Sequence, residues 1–131
     1  MKIIRAAEAK VSPAGGALYL GEIGFSLMAG TPATGQVEVY RVDFAAGARN
    51  RVHVHRHDQV LIGCGGVGIV ADESGHYSLG VGDVVTIPSG HPHWHGAGPE
   101  GVFSHLTVAV PGDEIEIVDG DVRGAWGAID G

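Results

Sequence analysis

Cysteine is nearly absent from this chain. The single thiol, Cys64, has no internal partner for a disulfide, which accords with a reducing compartment. Cationic side chains are scarce too. Eight Lys and Arg stand against 15 Asp and Glu, a formal net charge of −7. A chain so acidic is a poor match for a nucleic-acid backbone or an anionic membrane surface, so neither is an expected partner. No stretch approaches the roughly 18 consecutive apolar residues of a membrane helix. The opening MKIIRAAEAK lacks the long apolar run that follows the charges of a secretory signal. There is no internal repeat, low-complexity tract or linker, and no helical apolar stripe longer than about two turns. These absences lead to the expectation of a soluble, cytoplasmic protein whose residues 1–131 form one domain.

Glycine, by contrast, is abundant, at 23 of 131 residues, about 18% where about 7% is usual. It is not spaced as in collagen. The glycines punctuate short apolar runs, the pattern of an all-β chain with many tight turns. The expected strands are Gln36 to Phe44, Val52 to His57, VLIGCG, VGIVA, HYSL, VVTIP and Val102 to Val110. An edge strand at Glu114 to Val118 precedes a loose acidic tail. Ser12 to Gly16 and Ala29 to Gly35 read as turns, and SGHPHWHG as a tight turn entering a strand. Short strands at this spacing suit a small antiparallel barrel or jelly roll.

The feature that needs explaining is histidine. There are eight, seven of them between positions 53 and 95. His53 and His55 are two apart in a strand pattern, so their imidazoles project from one face. His93 and His95 repeat this spacing forty residues later. Gln59 lies beyond a bend and can return to the first pair's face from the next strand. One strand histidine is most often a surface residue or a satisfied core residue. Two such pairs in so short a chain are poorly explained that way, and converging from opposite walls of a barrel they would make a transition-metal site. His91 precedes Pro92 and reads as rim or as a residue supporting the metal ligands from behind; His76 follows a DESG turn and reads as solvent-exposed.

Glycines and prolines frame both pairs. Gly47, His53, His55, Gln59 and Gly66 form the first group; Gly82, Pro88, Gly90 and His93 form the second. From about Val37 to Val110 this resembles the two signature motifs of the cupin family. The resemblance implies a cupin-type barrel with its core at about 37–110, commonly a homodimer. It also implies a metal held inside by His53, His55, the residue at position 59 and His93. Two positions depart from the family pattern: Gln59 stands where a glutamate is usual, and Ala97 where an asparagine is usual. Three imidazoles and an amide oxygen are all neutral. They leave a divalent ion's charge uncompensated, which strengthens its Lewis acidity and favours binding of an anion. One divalent transition metal ion is therefore expected, from among manganese, iron, nickel and zinc, with manganese or iron favoured.

HPHWHGAGPEGVFSHLTV is similar, more narrowly, to small bacterial cupins that include manganese-dependent hydroxynitrile lyases. That similarity implies His95 and His105 as acid–base groups of a pocket that takes a small-molecule substrate. Three functions follow: a lyase using the metal as Lewis acid at a carbonyl, a metal-dependent dioxygenase, or a non-catalytic ligand-binding cupin. The remaining features read as structural. Trp94 should point into the opposite packing layer and Cys64 into inert core. Arg49, Arg51 and Arg56 should form a solvated rim, and DESG, GVGD and PGDE should be turns.

Overall fold

A computed structural model describes residues 1–29 and 35–118. The expected turn at Ala29 to Gly35, except for its two ends, and the expected tail beyond 118 lie outside the described residues. After a 3₁₀ turn at Ala6–Glu8 come thirteen described strands: β1 (Ser12–Pro13), β2 (Tyr19–Leu20), β3 (Ile23–Ala29), β4 (Glu38–Phe44), β5 (Arg49–Asn50), β6 (His53–His55), β7 (Gln59–Gly66), β8 (Gly68–Asp72), β9 (Gly75–Leu79), β10 (Val84–Ile87), β11 (Trp94–Ala97), β12 (Phe103–Ala109) and β13 (Ile115–Ile117). No helix among the described residues is long and apolar enough to cross a membrane.

The strands form a six-stranded sheet, β1-β3-β4-β12-β7-β10, a five-stranded sheet, β2-β5-β11-β8-β9, and a small pair, β13-β6. Every pairing is antiparallel. This is the small antiparallel jelly-roll barrel expected from the sequence. The period-two rule is clearest in β12, where Phe103, His105, Thr107 and Ala109 are buried and the residues between them are not. The main core joins Ile23, Val42, Phe44, Leu61, Leu79, Ile87 and Phe103. A second cluster packs Trp94 against Val52 and Ala71, so Trp94 does face the layer opposite the metal-type histidines.

Several expectations need correction. Ser12 and Pro13, expected in a turn, pair with Phe25 and Gly24 of β3. β3 has no clean two-residue alternation to mark it in the sequence, yet it brings Ile23 and Ser26 into the interior. Cys64 is exposed, not core. Ser104 faces Gly65 while His105 faces Gly63, so Cys64 is the extra residue of a β-bulge; its thiol falls in step with Val60 and Ile62 on the less buried face of β7. Arg49 is buried rather than on a solvated rim, with its guanidinium 5.9 Å from the centre of the Trp94 ring. Arg56 is exposed beside Glu114, as expected of a rim residue. Arg51 is half-buried and bonds the Ala17 carbonyl, Nε–H to O, at 2.7 Å.

One glycine sets how closely the site's walls approach. Gly96 of β11 lies opposite Arg49 of β5 and Ile69 of β8. A Cβ there would stand 2.5 Å from the Ala48 carbonyl oxygen and 2.6 Å from the Arg49 Cα, both backbone atoms. Gly96→Ala is therefore expected to force β5 and β11 apart at a cost of about 1–3 kcal/mol, lowering Tm by at least about 3 °C. At Gly98 the nearest atom to an added Cβ is 3.9 Å away, and Gly98→Ala should leave Tm almost unchanged. Thermal melts of both variants check this; equal melting of the two would contradict it.

Candidate metal centre

β6 supplies His53 and His55 from one face. His93, just before β11, is locked to His53 by two backbone hydrogen bonds: His53 N–H to His93 O at 3.0 Å and His93 N–H to His53 O at 3.1 Å. The first histidine pair and the first member of the second are thus joined backbone to backbone. Gln59 enters from the start of β7. All four side chains are buried, at 1%, 5%, 1% and 3% exposure for His53, His55, His93 and Gln59. One nitrogen each of His53, His55 and His93 lie within 4.8 Å of one another, close enough to share one metal ion.

The hydrogen bonds say which nitrogen faces inward. His53 Nδ1 is 2.6 Å from the Arg51 carbonyl oxygen and His93 Nδ1 is 2.9 Å from the His91 carbonyl oxygen. A carbonyl only accepts, so each Nδ1 carries the proton and each Nε2 presents a lone pair. His55 Nδ1 is 2.7 Å from Asp113 Oδ2, and a carboxylate likewise takes the proton's side. His55 Nε2, His93 Nε2 and Gln59 Oε1 are buried with no hydrogen-bond partner among the described residues. A buried acceptor without a donor is costly. Several of them facing one another are what a cation would resolve, so these residues fit a metal ion. The backbone and carboxylate partners behind the rings are the arrangement that orients metal-binding histidines generally.

Burial pushes the His53 imidazole down to about 3, helped by repulsion from His93, and the His93 imidazole down to about 4. Both are therefore unprotonated at neutral pH. Asp113 was not among the residues singled out in the sequence, where PGDE reads as a turn. Its carboxylate accepts from His55, from the His57 ring at 3.0 Å and from the His57 backbone N–H at 3.1 Å. Burial alone would raise its pKa, but the bonds from His57 and His55 outweigh that and lower it. His57 thereby supports Asp113 from an exposed position. His91 serves through its carbonyl, while its ring pairs with Asp72 at 2.8 Å. His76 is exposed, as expected.

His95 and His105 lie in a second histidine cluster against Phe44. The His95 backbone N–H donates to Asn50 Oδ1 at 2.8 Å. That fixes the Asn50 amide, so its Nδ2 is the atom 3.4 Å from His95 Nε2. His95 Nε2 is then an acceptor and its Nδ1–H donates to His105 Nε2 at 3.0 Å. His105 Nδ1–H in turn donates to Thr107 Oγ1 at 3.2 Å. Burial drives His95 well below the ordinary imidazole pKa and His105 down to about 4. His95 lines a cavity of about 20 Å³ together with His53, His55, Gln59, Asn50 and Tyr40. His105 stands behind His95 and does not line it.

The depressed histidines predict how the metal-free protein responds to acid. An unfolded histidine titrates near 6.5 and a folded one here near 3 to 4. The stability these rings confer is therefore complete above about pH 7 and lost as pH falls from 6.5 toward 4, where only the unfolded chain takes up protons. Denaturant unfolding of chelator-treated protein should show at least about 2 kcal/mol less stability at pH 5 than at pH 7.5. Equal stability at the two pH values would contradict the buried, neutral assignment.

Comparisons with known proteins agree with this geometry. A family model described as Cupin matches residues 31–127. A cupin-like protein from Thermotoga maritima superimposes with a TM-score of 0.77 at 27% identity, covering 87% of this chain and 92% of its own. The polyketide cyclase RemF from Streptomyces resistomycificus shares the fold with a TM-score of 0.78 at 16% identity, covering 93% of this chain and 89% of its own. An (R)-mandelonitrile lyase from Granulicella tundricola is 40% identical over 68 residues, 51% of this chain and 52% of that enzyme. The matched segment spans about half the length of that relative. With its motif pairs, its barrel and a family model covering most of its length, the chain belongs to the cupin family.

Proposed function

We propose that this chain holds one divalent transition-metal ion, manganese or iron by preference, and adds or removes a small anion at a carbonyl carbon. The donors would be the Nε2 atoms of His53, His55 and His93 and Oε1 of Gln59. The observation that carries this reading is the set of buried, partnerless acceptors gathered beside the cavity that His95 lines. The partial likeness to a mandelonitrile lyase supports the reaction class. What the ion supplies when bound is Lewis acidity, because four neutral donors leave its charge uncompensated.

The chain's own residues would handle the proton. His95 is unprotonated, and its Nε2 lone pair is engaged only by the long contact from Asn50. It can take the hydroxyl proton of a cyanohydrin-type substrate. The O–H electron pair then becomes the carbonyl π bond as the carbon–carbon bond to the nitrile breaks, and cyanide leaves with that bond's electrons. The bond from His95 Nδ1–H to His105 Nε2 would hold the ring in this orientation and share the charge it gains. In this reading His105 works through His95, as a positioning residue. The cavity has room for about one water molecule, so a substrate must displace part of its lining, and a compact one displaces least.

Cyanide release from acetone cyanohydrin and from mandelonitrile by manganese-loaded protein tests this reading. The expected result is turnover of at least the smaller substrate. His95→Ala should keep its metal and lose about 100-fold or more in kcat/KM. No release from either substrate, or an unchanged rate in the variant, would overturn the proposed chemistry.

A further inference from the structure

Nothing in the imidazole cluster itself would turn the Gln59 oxygen inward. Three lone pairs face the amide, and they would sooner meet its NH₂ group, which donates, than its oxygen, which repels them. The constraint must come from the other side of the side chain. There, Tyr40 of β4 lies directly opposite Thr107 of β12, and Thr107 lies opposite Leu61 of β7, two residues along from Gln59. The period-two rule puts Tyr40, Thr107 and Gln59 on one inner face, and all three line the cavity. The Tyr40 phenol is largely buried and interacts with the side chains of both Gln59 and Thr107. Because Gln59 Oε1 has no partner, it is the amide nitrogen that meets Tyr40. Thr107 already accepts from His105 Nδ1–H, so its own hydroxyl proton is free to donate to Tyr40.

The geometry points to Tyr40 as a positioning residue for the fourth donor, its phenol oxygen accepting from the Gln59 amide and so keeping Oε1 turned toward the three imidazoles. This rests on the metal reading given above. Without the phenol, the Gln59 NH₂ group loses the acceptor that Tyr40 provides on the side away from the imidazoles. The amide then rotates to donate to an imidazole lone pair, and the empty site blocks itself. A glutamate at position 59 has oxygen at both ends and no such orientation to lose.

The test is a double-mutant cycle on metal affinity. Chelator-treated wild type, Tyr40→Phe, Gln59→Glu and the double variant are titrated calorimetrically with Mn²⁺ and with Zn²⁺. Tyr40→Phe should weaken binding about 10- to 100-fold in the Gln59 background, the range for losing a group that orients a ligand. In the Gln59→Glu background the same change should alter affinity less than about twofold. Unchanged affinity in Tyr40→Phe would overturn the inference. So would equal losses in both backgrounds, which would indicate a general packing role. Failure of the wild type to bind either ion would overturn the metal reading itself, and this inference with it.

Discussion

The site depends on three hydrogen bonds that point away from it. Each of His53, His55 and His93 gives its Nδ1 proton to a fixed acceptor behind the ring: the Arg51 carbonyl, the Asp113 carboxylate and the His91 carbonyl. A neutral imidazole has one proton, so committing it outward leaves every Nε2 as a lone pair turned inward. Two of the three acceptors are backbone carbonyls two residues before the histidine they hold. For these two rings, the backbone segment leading into the histidine also sets its tautomer.

The barrel exists around this arrangement in a specific sense. The paired backbone bonds between His53 and His93 bring together residues forty positions apart. The absent side chain of Gly96 lets β5 lie close against β11, so Asn50 reaches both the backbone and the ring of His95. The pocket therefore has two chemically distinct walls. One gathers acceptors with no protein donor; the other is a chain of defined donors and acceptors from Asn50 through His95 and His105 to Thr107. A guest between them would meet electrophilic help on one side, if an ion is bound, and a proton acceptor on the other.

Much of this was legible in the sequence, for a physical reason. Strand side chains repeat every two residues, so His53 with His55, His93 with His95, and Phe103 with His105 and Thr107 each announce a shared face. The framing glycines and prolines added the family. What escaped was whatever depends on contacts between distant segments or on irregular backbone. Asp113 looks like any turn aspartate until the fold carries it to His55, 58 residues back. Tyr40 and Asn50 sit in unremarkable strands and matter only through the strands opposite. Arg49 has the charge of a surface residue but lies over Trp94, and Cys64, for all its apolar neighbours, falls in step with Val60 and Ile62 on the less buried face of β7. The role of His105 shifted as well, from pocket wall to support behind His95.

The most direct test of the account is an X-ray absorption spectrum of the purified protein loaded with one equivalent of manganese. It should show multiple scattering from three directly bound imidazole rings, with the remaining scatterers oxygen. The imidazole contribution should fall by about one third in His93→Ala. A spectrum with only oxygen neighbours, or one indifferent to that substitution, would contradict the claim that these inward-turned lone pairs hold the ion.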